Sequence, residues 1–272
     1  MIGVAVVGMD RPHYLRRTLA GLAQQRDAPP FEVHLWLDGA VNEWSNRVVG
    51  KASSIDACAV MFERAGLPGG GTFRQRYNLG IGLHQYKATE WMCQRYERVL
   101  MLEDDVVLSP YWLRLLGVLF EQFAHRDDVF GFCPGFKRLG RDESALLWWD
   151  EHWWAEGFTA AAWHRARPFY RDYLNIIQGV DYAQRPHDAI RALFARHEWD
   201  NPSTSQDSGK DLAIHRSGQR RVCCAVNRAL GIGRTGVHFT PALFAARGYE
   251  RPGTHIHARD ATRERFDEPI DG

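Results

Sequence analysis

Three consecutive carboxylates, Glu103, Asp104 and Asp105, stand between two apolar runs, 99–102 and 106–108. A carboxylate taken out of water has to be hydrated, paired or bound to a cation, because leaving it bare is costly. Hard oxygen donors of this kind suit a divalent ion such as Mg2+ or Mn2+. The other reading is a set of acids on a solvated strand end beside a turn. Three in a row after a buried strand favour a site, since open α/β sheets bind ligands at the carboxyl ends of their strands.

The flanking pattern supplies that strand. Val99 to Leu102 has no polar relief, as in a strand buried on both faces. After the acids, Ser109-Pro110 predicts an N-cap with proline at the first helical position, and a helix to about Ala124. Upstream, residues 2–7 read as a first strand and Asp10-Arg-Pro-His as a helix start with Asp10 as the cap. Leu15, Leu19 and Leu22 keep helical spacing, 31–37 is a second strand ending in Asp38-Gly39, and 42–64 reads as polar helix. Pro68 to Thr72 is glycine-rich but lacks a P-loop ending, so a flexible loop is preferred over a phosphate cradle. Residues 74–93 read as helical, 129–133 as strand, 201–209 as turn, 210–217 as helix and 222–226 as strand. Alternating strands and helices predict an α/β fold with a mostly parallel central sheet flanked by helices.

The composition narrows the class. A chain of 272 residues with net charge +1 and no basic arm is not built as a dedicated nucleic-acid binder. Five cysteines without CxxC spacing point to a reducing compartment, not to zinc or a disulfide framework. No apolar run approaches the ~20 residues that span a bilayer. The expectation is a cytoplasmic protein, at most peripheral to a membrane. Trp148, Trp149, Trp153, Trp154, Phe158 and Trp163 crowd one segment, either to fill a core or to stack on sugar faces.

The triplet resembles the Glu-Asp-Asp form of the metal-binding motif in GT-A glycosyltransferases, especially N-acetylglucosaminyltransferase I and its bacterial family-2-like relatives. The resemblance implies a Rossmann-like GT-A fold in which Asp105 binds Mn2+ or Mg2+ on the donor diphosphate. Glu103 and Asp104 would face the ribose and sugar, and Arg11 the nucleotide. Asp38 would sit near the base or ribose, with a plain Asp-Gly turn as the alternative, and Arg74 would touch the donor.

Two further blocks extend the resemblance. Trp154-Ala-Glu-Gly-Phe-Thr-Ala-Ala-Ala-Trp-His-Arg-Ala is similar to an aromatic block of the bacterial relatives, which makes Trp153 and Trp154 candidates for an acceptor platform. Glu156 within it is either a hydroxyl contact or a structural acid. Asn227 to His238 resembles the family's Val-Asn-…-Asn-Ile-Gly-…-Gly-Thr-His block and offers His238 as a metal or diphosphate contact. Counting back from that match without a gap puts Asp207 on the general base, with Asp211 and Glu156 in reserve. Gln206 stands where the family often has tryptophan.

The implied organisation is one domain, with a nucleotide-sugar half over 1–133, an acceptor half over 134–250 and a polar tail over 251–272 that is either mobile or closes over the site. The implied activity is inverting transfer of a hexosyl or N-acetylhexosaminyl group from a nucleotide-diphosphate sugar, most commonly a UDP-sugar. The acceptor is a hydroxyl on a saccharide, a lipid-linked glycan, a protein or a natural product. A sugar-phosphate nucleotidyltransferase is the alternative, but Gly8-Met-Asp-Arg-Pro lacks its glycine-rich loop. A non-catalytic carbohydrate-binding protein on the same fold is the third reading, against which the intact triplet counts.

Overall fold

The computed structural model describes residues 1–135, 145–149, 154–236, 240–246 and 268–271. In chain order the elements are β1 (Ile2–Gly8), α1 (Pro12–Ala23), β2 (Phe31–Leu37), α2 (Ala52–Arg64), β3 (Thr72–Arg74), α3 (Gly80–Cys93) and β4 (Arg98–Glu103). They continue with β5 (Val106–Leu108), α4 (Trp112–Gln122), β6 (Val129–Cys133), β7 (Leu146–Trp149), β8 (Glu156–Thr159) and α5 (Ala160–Ile177). A short 3-10 turn (Tyr182–Gln184) leads to α6 (His187–Arg196), α7 (Gln206–Arg216), β9 (Arg220–Cys224), β10 (Ala229–Gly231), α8 (Pro241–Ala246) and β11 (Ile270–Asp271).

Among the described residues, nine strands form the central sheet in the order β11-β7-β9-β6-β8-β4-β1-β2-β3. The pairs β1–β2, β1–β4, β2–β3, β6–β9 and β7–β11 are parallel; β8 runs antiparallel to both β4 and β6, and β7 to β9. Alternation along β1 feeds two cores. Ile2, Val4 and Val6 join residues of α1, α2 and α4 on one face, whereas Ala5 and Val7 join residues of α3, α5, α6 and α7 on the other. Helices therefore cover both faces, the condition under which a parallel sheet reads as unbroken apolar runs. The expected α/β architecture is the one observed.

Several local expectations are corrected. Residues 42–51 are not helical: Asn42 Oδ1 accepts from the Trp44 and Ser45 amides, closing a turn before α2 begins at Ala52. Thr72–Arg74 is an edge strand, so the helix expected from residue 74 begins at Gly80. Asp10 does not cap α1. Its carboxylate accepts from the Lys51 amide at 3.0 Å, and Arg11 occupies the cap position without a side-chain cap.

Ser109 likewise does not cap α4, which starts at Trp112. The cap comes from Gln25, whose Oε1 accepts from the Leu113 amide at 2.9 Å while its Nε2 donates to the Ser109 carbonyl. Helix α7 starts at Gln206, four residues before the expected 210, because Ser205 Oγ accepts from the Ser208 amide at its N-terminus. The final strand of the predicted set runs over Arg220–Cys224 instead of 222–226. No helix among the described residues is long and apolar enough to cross a membrane. All five cysteines are buried free thiols.

Candidate active site

Strand β4 ends at Glu103, beside the end of β1, with Val7 opposite Glu103 in register. The chain then turns: the Asp104 amide donates to the Val7 carbonyl at 3.0 Å, and Thr18 Oγ1 donates to the Asp104 carbonyl at 2.8 Å. The three acids thus lie where two parallel neighbours both finish, at the foot of α1.

Arg11, just before α1, reaches across to them. Its Nη1 donates to Asp105 Oδ2 at 2.7 Å, and its Nη2 and Nε donate to the two oxygens of Asp104. The Asp104 side chain is 2 % exposed, Asp105 15 % and Arg11 29 %. Burial pushes the Asp104 carboxyl up to about 6 despite the pull of Arg11. Glu103 is raised well above the usual carboxylate range, first by burial and then by the charges of Asp105 and Asp207. Burial alone would lower Arg11, but Asp104 and Asp105 hold it above its ordinary value.

The block before His238 folds over this group. Strand β10 pairs antiparallel with β5, setting Gly231 opposite Val106. The Ile232 amide then donates to the Asp105 carbonyl at 2.8 Å. Gly233 lies against the Asp105 carboxylate, where a Cβ would meet Oδ2 at 2.1 Å. Thr235 is held by Tyr14, with Oγ1 to hydroxyl at 3.0 Å and amide to hydroxyl at 3.1 Å. His238 and Trp153 lie outside the described residues. Trp154 packs on Gly231 and lines a narrow cavity together with Glu103, Gln85, Tyr170 and Lys210.

Asp207 lies in the first turn of α7, not in a free polar loop. Gln206 Nε2 donates to its Oδ1 at 3.2 Å, and the Gln206 amide in turn donates to the Tyr182 hydroxyl at 2.7 Å. Gln206 therefore orients the acid beside it. Behind them lies a buried charge cluster that sequence reasoning did not assemble. Glu156 accepts from Lys210 Nζ and Arg221 Nε, and Arg221 Nη1 donates to Asp211 Oδ1 at 2.8 Å. Burial pushes the Asp211 carboxyl up to about 7, against the pull of Arg221 and with help from Asp207 and Glu156. Glu156 and Asp211 hold α7 to β8 and β9, a structural task that separates them from Asp207.

Two predicted donor contacts are engaged elsewhere. Asp38 is buried, and its oxygens accept from Asn78 Nδ2 at 2.8 Å and from the amides of Gly39, Leu79 and Gly80. It ties the start of α3 to the end of β2. Arg74 lies on the edge strand β3 and pairs with Asp56 at the surface.

A divalent cation fits the chemistry of this donor set. The carboxylates of Asp104 and Asp105 already hold a cationic group, the Arg11 guanidinium, and they present hard oxygens. Among the described residues no group of three or more His, Cys, Asp or Glu is arranged around a metal position. Such an ion would rely on phosphate and water for the rest of its shell, as Mg2+ commonly does.

No protein-family model matches the chain, and no curated protein does. Solved structures do. The crystal structure of S. aureus TarS 1-349 in complex with UDP-GlcNAc matches with a TM-score of 0.53 at 13% identity, over 88% of this chain and 60% of that one. TarS 1-349 in complex with UDP gives 0.47 at 13% identity over 83% and 58%, and a longer TarS structure 0.49 at 14% over 82% and 34%. This chain thus spans about three fifths or less of these chains. The UDP-GlcNAc complex establishes a shared α/β fold of the GT-A kind.

Proposed function

We propose that the protein is a glycosyltransferase that moves a sugar from a nucleotide-diphosphate sugar, a UDP-sugar first among them, to an acceptor hydroxyl with inversion. The observation that carries this reading is the meeting of Arg11, Glu103, Asp104, Asp105 and the 232–236 loop at the carboxyl ends of β1 and β4. That is the position at which open α/β sheets take nucleotides. A structural neighbour with the same fold was crystallised with UDP-GlcNAc.

In this reading Asp105 holds Mg2+ or Mn2+, which when bound neutralises the diphosphate and stabilises the departing nucleoside diphosphate. Arg11 adds a second positive group on the diphosphate side, and Glu103 faces the sugar. The acceptor oxygen forms its bond to the anomeric carbon as the bond to the diphosphate oxygen breaks. Its proton passes to a carboxylate on the opposite side, and Asp207 is that base. Asp211 and Glu156 are set aside because Arg221 and Lys210 bind their carboxylates. Trp154, beside the cavity at Glu103, contributes to the acceptor platform.

Melting temperature measured with nucleotides and nucleotide-sugars, each with and without Mn2+, tests the reading, since a ligand of the native state stabilises it by mass action. A rise with a nucleoside diphosphate that requires Mn2+ is the expected result. Stabilisation by free sugars alone, with no response to any nucleotide, would contradict it.

A further inference from the structure

We infer that Arg11 is the resident counter-ion of the proposed cation site, so that a divalent ion and a nucleoside diphosphate bind as one unit and each binds poorly without the other. This rests on the donor site proposed above. Asp105, the residue expected to hold the metal, already has one carboxylate oxygen engaged: Oδ2 accepts from Arg11 Nη1 at 2.7 Å. On its other side Gly233 is packed too closely for any side chain. A cation arriving alone therefore meets an occupied oxygen and a positive guanidinium, and like charge works against it.

The geometry also provides a way out. Arg11 is a fork: Nη2 and Nε hold the buried Asp104, and only Nη1 reaches Asp105. The guanidinium can pivot on Asp104, release Asp105 to the metal and offer Nη1 to a phosphate oxygen. Guanidinium suits that exchange, since its planar donors match carboxylate and phosphate alike. The space into which Nη1 would turn is bounded by a glycine: a Cβ on Gly236 would stand 3.2 Å from Nη1. Tyr14, whose ring centre is 5.5 Å from the Arg11 Cζ, anchors the same loop through Thr235. A diphosphate that takes over Arg11 frees the site for the metal. By linkage, the metal then favours the diphosphate by the same factor.

The test is the affinity for Mn2+ of the whole chain, read from the electron paramagnetic resonance signal of free Mn2+, with and without UDP. Wild type is expected to bind Mn2+ weakly alone and more tightly with UDP. Arg11→Met should bind Mn2+ alone about tenfold more tightly, the scale of a partly buried ion pair removed. The further gain from UDP should shrink. Arg11→Lys, which keeps one charge but not the fork, should fall between them, and Asp105→Asn should bind no Mn2+ in either state. Circular dichroism checks that each variant is folded; should Arg11→Met fail to fold, Arg11→Lys decides. Unchanged or weaker Mn2+ binding by the folded Arg11 variant, while wild type still binds Mn2+ with UDP, overturns the inference and leaves the site standing. Absence of Mn2+ binding by wild type even with UDP overturns both.

Discussion

A Cβ on Gly233 would lie 2.1 Å from Oδ2 of Asp105, so the loop backbone and that carboxylate share a surface with no room for a methyl group. Gly233→Ala must move either the loop or the acid. We expect folding to be retained at a cost of about 1–3 kcal/mol, the usual scale of overpacking, while the Mn2+-dependent stabilisation by UDP is lost. A wild-type response to UDP and Mn2+ in this variant would show that the set of Asp105 does not matter.

Asp207 is held by Gln206 at the start of α7, on a helix anchored from behind by Arg221 and Lys210. Asp207→Asn should leave UDP and Mn2+ affinity near wild type and lower kcat by about 10²–10⁴-fold, the contribution of a positioned base. Titration calorimetry with UDP and steady-state rates would separate the two effects. A kcat close to wild type, or a product retaining the donor's anomeric configuration, removes Asp207 from the mechanism.

Asp38 joins β2 to the first turn of α3 by accepting from four groups, three of them backbone amides. Asp38→Ala should destabilise the protein by about 2–4 kcal/mol, since a helix-start partner is lost and buried donors are left bare. Urea unfolding measures this directly. A fully stable Asp38→Ala protein with weakened nucleotide binding would restore the donor-contact role that its hydrogen bonds argue against.

Burial raises the Asp211 carboxyl from 3.8 to about 7. Between those values the folded protein holds more of this proton than the unfolded chain, so the group's contribution to stability falls as pH rises through that window. Asp211→Asn removes the dependence while leaving Arg221 an oxygen to bond. The stability of the variant relative to wild type should therefore climb from pH 4 to pH 7 in urea melts. A difference independent of pH would mean that the Arg221 pair keeps Asp211 ionised throughout.

The part of the site that was legible in the sequence is the part made by one continuous segment. An apolar run broken by three acids favours a strand end with charges to satisfy, and Glu103, Asp104 and Asp105 lie there. What stayed hidden depends on partners far along the chain. Asp38-Gly39 has the form of a simple turn, and nothing in it shows that Asn78, Leu79 and Gly80 return to it. The start of α7 has the pattern of a loop because Ser, Gln, Asp and Gly carry little apolar periodicity there; its neighbour is the Tyr173 ring, against which Gly209 packs. Arg221 sits in a strand next to the apolar Val222, Cys223 and Cys224, a sign of a buried partner, but Glu156 and Asp211 come from β8 and α7. The role of Gly233 follows only from the pairing of β10 with β5.

The most direct test is slow hydrolysis of nucleotide-sugars without acceptor, followed by NMR of the released products. Wild type with Mn2+ should release a nucleoside diphosphate and free sugar from at least one donor, a UDP-sugar first among them. Asp105→Asn, or excess EDTA, should abolish that release. Production of pyrophosphate from a sugar phosphate and a nucleoside triphosphate, or donor hydrolysis at an undiminished rate in Asp105→Asn, would contradict a glycosyltransferase site centred on Asp105.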